Sequence, residues 1–295
     1  MSKLAFSVKK HLRNTVYSNV WISLGAAATT WQSLLLFNLE IHWAYCVFVG
    51  FATLATYNFQ RIIKFSHRPE YLSSGRNNWV FRNRSKLTFI VIFACIGMLF
   101  SVFKLPASTF PLLAVMSVVS LLYVIRFVPN KNKKRALRDL PFLKVYLIAL
   151  VWTVVSVLIP MAGDAVWELQ LDAATQTLLL EKFAFLVAIT IPFDIRDMHY
   201  DDPGQKTIPQ LFGLNKARAL AIVFACISLM ASASLYLTGT YGSCNFVAFA
   251  LSAAVNIIFI SNSDPKKSEM YFAGGVDSAL LIQAVLVGLS SLIEG

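Results

Sequence analysis

Four of the chain's fifteen carboxylates stand within nine residues, in the stretch Asp194-Ile-Arg-Asp-Met-His-Tyr-Asp201-Asp202-Pro-Gly-Gln-Lys-Thr-Ile-Pro209. Asp194, Asp197 and Asp201 are spaced i, i+3, i+7, so a helix continued through them carries all three on one face. Carboxylates placed so closely repel one another, and a bound cation relieves the repulsion. Arg196 lies inside the run, and Gly204 and Lys206 put a turn and a second cation just beyond it. Acids that hold a divalent ion beside cations that hold phosphate oxygens are the parts of a diphosphate–Mg2+ site, because Mg2+ binds through one or two carboxylates plus substrate phosphates. The plainer alternative is a solvated acidic loop, and the alignment of the acids argues against it.

The elements that position this stretch are membrane helices. Of the 295 residues, 57% are hydrophobic and only 14% charged, whereas soluble domains are about 45–50% apolar and about 25% charged. Apolar runs long enough to cross a bilayer recur along the whole length. Nine spans are predicted, at 17–37, 42–60, 87–104, 108–127, 143–162, 175–193, 216–237, 244–262 and 270–291. With the N-terminus on the cytoplasmic side, all Lys and Arg except Lys104 and Lys182 fall in cytoplasmic segments, while Glu40, Asp164, Glu168, Asp172 and Glu181 fall outside. That asymmetry is the positive-inside pattern, and it accounts for the net charge of +11 without any nucleic acid. The expectation is a single all-α integral membrane domain over residues 1–295, with its chemistry on the cytoplasmic face.

The remaining candidates are weaker one by one. Lys144 begins the fifth span, where it either snorkels to the interface or meets phosphate in a cavity. Asp277 lies about two turns into the ninth span, a costly place unless it faces a polar cavity or a neighbouring helix. Lys131-Asn-Lys-Lys-Arg135 reads as a topology and anionic-lipid determinant. The four cysteines are expected to be buried free thiols, and the four histidines form no zinc pattern. The N-terminal residues, polar and without a small-residue cleavage site, are not expected to form a signal peptide.

The run Asp-Ile-Arg-Asp-x-x-x-Asp followed by Gly-x-Lys-Thr-Ile-Pro resembles the second aspartate-rich motif of the UbiA superfamily of intramembrane prenyltransferases. The resemblance implies a nine-helix bundle around a central cavity. It implies transfer of a prenyl group from a prenyl diphosphate to a hydrophobic acceptor, with Mg2+ bridging Asp194, Asp197 and Asp201 to the diphosphate. Lys206 and Arg196 are then candidate phosphate contacts. Tyr123-Val-Ile-Arg126 is similar to the family's Tyr-x-x-Lys element, with Arg126 keeping the charge. The setting implied is a cytoplasm-facing site in a membrane such as the bacterial inner membrane.

The family's first motif, Asn-Asp-x-x-Asp-x-x-x-Asp, is degenerate here. Asn58 is present, but Phe59, Ile62 and Ser66 occupy the aspartate positions, and Arg61 and Lys64 stand among them. Glu70 follows too late, behind Pro69, to restore a carboxylate on the same helix. Three readings stay open. The cations contact diphosphate directly in place of a metal, the chain acts on another anionic lipid, or it binds or transports an isoprenoid without catalysis.

Overall fold

A computed structural model describes residues 3–37, 39, 42–66, 75–125, 128–130, 133–163, 171–201 and 203–294. Eleven helices are found among them. They are α1 (Lys3–Tyr17), α2 (Val20–Leu36), α3 (Trp43–Ser66), α4 (Gly75–Arg82), α5 (Arg84–Val102), α6 (Phe110–Val124), α7 (Leu143–Ala162), α8 (Ala173–Asp197), α9 (Ile208–Leu237), α10 (Ser243–Ser261) and α11 (Tyr271–Glu294). A short hairpin of β1 (Val128–Asn130) and β2 (Lys133–Arg135) joins α6 to α7.

Each expected span coincides with a helix. Six helices among the described residues, α5 to α7 and α9 to α11, are long and apolar enough to cross a membrane, α6 with its leading turn from Ala107. The other three are weaker for visible reasons. Helix α2 is only 17 residues long. Helix α3 ends in the polar run from Asn58 to Lys64, and α8 carries Glu181 and Lys182 within it. Helices α1 and α4 were not among the expected spans. The expected Glu40, Asp164, Glu168, Glu70 and Lys131 lie outside the described residues, as does Arg126.

The bundle closes as a ring. Helix α8 packs along α7 and α9, α10 joins α9 to α11, and α2 joins α11 to α3, with α5 outside α3. The central core comes from α7, α8, α9 and α11 and includes Phe185, Ile191, Ile195, Ala221 and Phe272. Helix α11 lies close on α2 because Gly288 leaves room for the Trp31 ring, which a Cβ there would strike.

Two expectations are corrected. Cys46 is buried, but Cys95 and Cys226 are exposed, on faces of α5 and α9 that the bundle turns outward. Glu181 and Lys182, expected at the outer side, are fully buried inside the bundle. They pair at 3.2 Å; Lys182 also donates to Gln283 of α11 (2.9 Å), and Ser228 of α9 donates to Glu181 (3.1 Å). Charges within a membrane protein persist when they are paired and turned inward, as here.

Candidate functional site

Helix α8 starts on an Asp172 cap, whose carboxylate accepts from the Thr175 amide at 2.8 Å. It ends at Asp197, and one more turn follows. The amides of Tyr200 and Asp201 both donate to the Asp197 carbonyl, at 2.8 and 2.9 Å. Gln210 in the first turn of α9 pins this fold. Its side chain accepts from the Thr207 amide (3.0 Å) and donates to the Asp201 carbonyl (3.0 Å).

This turn carries Asp201 a helical step past the end of α8 and beside Asp194, on the face that the spacing predicts. Lys144 at the start of α7 lies between them, with Nζ 2.8 Å from Asp194 Oδ1 and 2.8 Å from Asp201 Oδ2. The contact to Asp201 is a hydrogen bond. Asp194 Oδ1 is buried, and the Lys144 ammonium meets it there.

Asp197 is differently engaged. Arg196 holds it as a two-pronged pair, Nε to Oδ1 at 2.7 Å and Nη2 to Oδ2 at 2.8 Å. The same guanidinium reaches Glu269 Oε2 at 3.3 Å and lies over the Phe193 ring, 5.1 Å from its centroid. Burial opposes its charge, but Asp197 and Glu269 hold Arg196 well above the ordinary arginine value.

Glu269 carries the network onward to Arg76 Nη1 at 3.7 Å. Arg76, only 3% exposed, donates to Asn19 Oδ1 (2.8 Å) and the Val16 carbonyl (3.3 Å). Burial and the neighbouring Arg61 push its guanidinium down to about 9, with Glu269 pulling the other way. Asn19 in turn donates to Asn58 Oδ1 (2.9 Å), and Asn58 Nδ2 donates to the Ser18 and Leu54 carbonyls, both at 2.9 Å. One continuous polar path therefore runs from Asn58 to Asp197.

Between α3, α6 and α7 lies a cavity of about 120 Å3, lined among others by Tyr57, Gln60, Ser120, Tyr123, Leu147 and Trp152. Tyr57 and Trp152 meet edge to face at 6.5 Å. Leu147 is one turn beyond Lys144, and Tyr123 lies within electrostatic reach of Lys144, Asp194 and Asp201. Arg61 follows Gln60 and stands one turn beyond Tyr57. The cavity thus abuts the Lys144 cluster at one end of the bundle.

This arrangement of helices is found in solved structures. A UbiA homologue from Aeropyrum pernix K1 superposes with a TM-score of 0.60 over 96% of this chain and 98% of its own, at 14% identity. The chain has the UbiA fold. A UbiA homologue from Archaeoglobus fulgidus bound to GPP and Mg2+ gives 0.59 over 95% and 98% at 13% identity, and a digeranylgeranylglyceryl phosphate synthase gives 0.52 over 96% and 98% at 15%. No protein-family model matches the chain, and no curated protein does. The helical core and its neighbours mark a multi-pass integral membrane protein.

Within this UbiA fold the structure brings Asp194, Asp201, Lys144 and Tyr123 together, and gathers Arg61, Arg196, Asp197 and Asp277 into a second group around Glu269. Lys206 is exposed, with a left-handed backbone (φ 47°). The Lys64 side chain and Arg126 lie outside the described residues. Arg76, Glu269 and Asn19 had no signal in the sequence, since each stands in its own segment far from both motifs. Among the described residues no three His, Cys, Asp or Glu side chains form a metal-ligating group.

Proposed function

We propose that the chain is a divergent UbiA superfamily member that transfers a prenyl group from a prenyl diphosphate to a hydrophobic acceptor. The observation that carries this reading is the convergence of Asp194 and Asp201 on one cation, 2.8 Å from each, beside an aromatic cavity of UbiA fold. The donor set suits Mg2+, because two carboxylates close enough to share one cation can share a metal whose other ligands are phosphate oxygens and water. Asp194 and Asp201 would hold it. Asp197 serves by fixing Arg196. Mg2+ when bound neutralises the diphosphate leaving group.

The chain's own residues do the rest. Lys144, Arg196 and, at the α3 end, Arg61 and Lys64 place positive charge around the diphosphate. Tyr123 and Arg126 close the α6 side, and Lys206 approaches from the loop. Tyr57, Tyr123 and Trp152 offer aromatic surface to the isoprenoid and to a developing allylic cation. Asp277 borders the acceptor side. Asn58 fastens α3 to the α1–α2 junction. Nine crossings with a cytoplasmic N-terminus turn this end of the bundle toward the cytoplasm of an inner membrane.

A second reading is favoured by one observation. Asp194, Asp197 and Asp201 each already pair with a cation of the chain itself. A protein that binds or carries an isoprenoid or another anionic lipid, without turnover, fits that engagement. Binding of geranyl diphosphate to the purified chain, with and without Mg2+, tests both. Mg2+-dependent binding lost in Asp194→Ala, together with release of pyrophosphate in the presence of an acceptor, is the expected result. Binding without release over a panel of acceptors selects the carrier, and binding indifferent to Asp194 overturns the site.

A further inference from the structure

Every cation described around the two carboxylate groups has a carboxylate partner except one. Lys144 bridges Asp194 and Asp201, Arg196 grips Asp197, and Arg76 shares Glu269 with Arg196. Arg61 makes no hydrogen bond or ion pair with any described residue, although Arg196, Glu269, Asp197 and Asp277 lie within electrostatic reach. A half-buried guanidinium with five unspent donors is costly unless something anionic meets it. From Asn58 to Lys64 the end of α3 supplies no carboxylate, only Arg61 and Lys64. The run from Asn58 to Lys64 offers no carboxylate to a metal, so an anion arriving there is met by nitrogen.

The position is also right. Thr56, Tyr57 and Gln60 line the cavity from α3. Arg61 is four residues after Tyr57, so it continues that residue's face of the helix toward the charged end. Across the cluster, Asp197 and Glu269 hold the Arg196 guanidinium in place, so it offers a fixed positive field rather than a mobile one.

We propose that Arg61 binds the diphosphate of the substrate directly, so that this chain uses one divalent ion, on the Asp194–Asp201 side, and a guanidinium on the α3 side. The proposal rests on the prenyl diphosphate reading above. Arg suits the role because its planar fork takes two phosphate oxygens at once, which an ammonium does not.

The test is direct binding of geranyl diphosphate to the full-length protein in detergent, titrated at a series of free Mg2+ concentrations. The wild type is expected to take up one Mg2+ per geranyl diphosphate, read from the slope of log Kd against log free Mg2+. Arg61→Ala is expected to weaken binding on the order of 10- to 100-fold at saturating Mg2+, with Arg61→Lys recovering only part. Arg61 pairs with no described residue, so its removal should not lower the melting temperature; if the alanine variant fails to fold, Arg61→Gln gives the same comparison. Inorganic pyrophosphate is expected to compete in the wild type and to lose that ability with Arg61. Wild-type binding that ignores Arg61, or a slope of two, overturns the proposal alone. Competition by phosphatidic acid micelles as strong as by pyrophosphate assigns Arg61 to a lipid headgroup and also overturns it. No wild-type binding at any Mg2+ level overturns the prenyl diphosphate reading itself.

Discussion

Glu269 Oε2 stands 3.3 Å from Arg196 Nη1, and this contact ties the carboxylate-rich end of α8 to the segment that leads into α11. The same oxygen also reaches Arg76 at 3.7 Å. Glu269→Gln removes one charge from between two cations. It is expected to cost on the order of 2 kcal/mol, since the arginines then repel with no carboxylate between them. Thermal unfolding in detergent reads this. A double-mutant cycle of Glu269→Gln with Arg196→Gln should show coupling, and strict additivity would show the bridge to be idle.

Lys144→Met leaves Asp194 and Asp201 facing each other. Without divalent ions the variant is expected to lose roughly 3 kcal/mol, the usual cost of breaking a buried pair from one side. Mg2+ should restore more stability to it than it adds to the wild type. Equal responses to Mg2+ would mean that the two carboxylates do not form a cation site.

Asn58→Ala breaks two hydrogen bonds that fasten α3 to the α1–α2 junction, to Asn19 and Ser18, and a third within α3 to the Leu54 carbonyl. About 1–3 kcal/mol of destabilisation is expected for the groups left unsatisfied. Asn58→Asp should be worse, because a carboxylate would face the Ser18 and Leu54 carbonyls. An aspartate variant as stable as the wild type would count against the fastening role.

Gln283→Leu removes the acceptor that Lys182 finds on α11 and the partner of Gln32 on α2. Among the described residues a fully buried ammonium then keeps its neighbour Glu181 and the face of the Phe249 ring. A loss on the order of 2–4 kcal/mol is expected, measured as a lower melting temperature. Lys182→Met in the same background should recover much of it; no recovery would place the damage in packing instead.

How far the sequence speaks depends on how local each signal is. Span positions follow from long apolar runs, and all nine coincide with helices because hydropathy is averaged over a whole helix. The Asp194–Pro209 stretch is legible because its acids are close in sequence. Its geometry is legible only in part, since Asp201 follows one helical turn past α8 to meet Lys144 with Asp194, while Asp197 is taken by Arg196. Lys144 reads equally as a snorkelling residue until its partners, 50 and 57 positions later, are in view. Arg76 and Glu269 carry no local mark at all. Glu181 and Lys182 are misplaced from sequence because their burial depends on Ser228 and Gln283, 47 and 101 positions away.

That last separation bears on how the chain is made. Lys182 is made with α8 while Gln283 is still unsynthesised. Adjacent Glu181 and Lys182 cancel in net charge, and α9 supplies Ser228 next, so α8 and α9 form a provisional pair. The ammonium gains its second partner only when the final helix arrives and lies against α2. Helix α11 is therefore the clasp of the assembly. A chain halted before residue 283 lacks the Gln283 acceptor and leaves the Lys182 ammonium with one contact fewer.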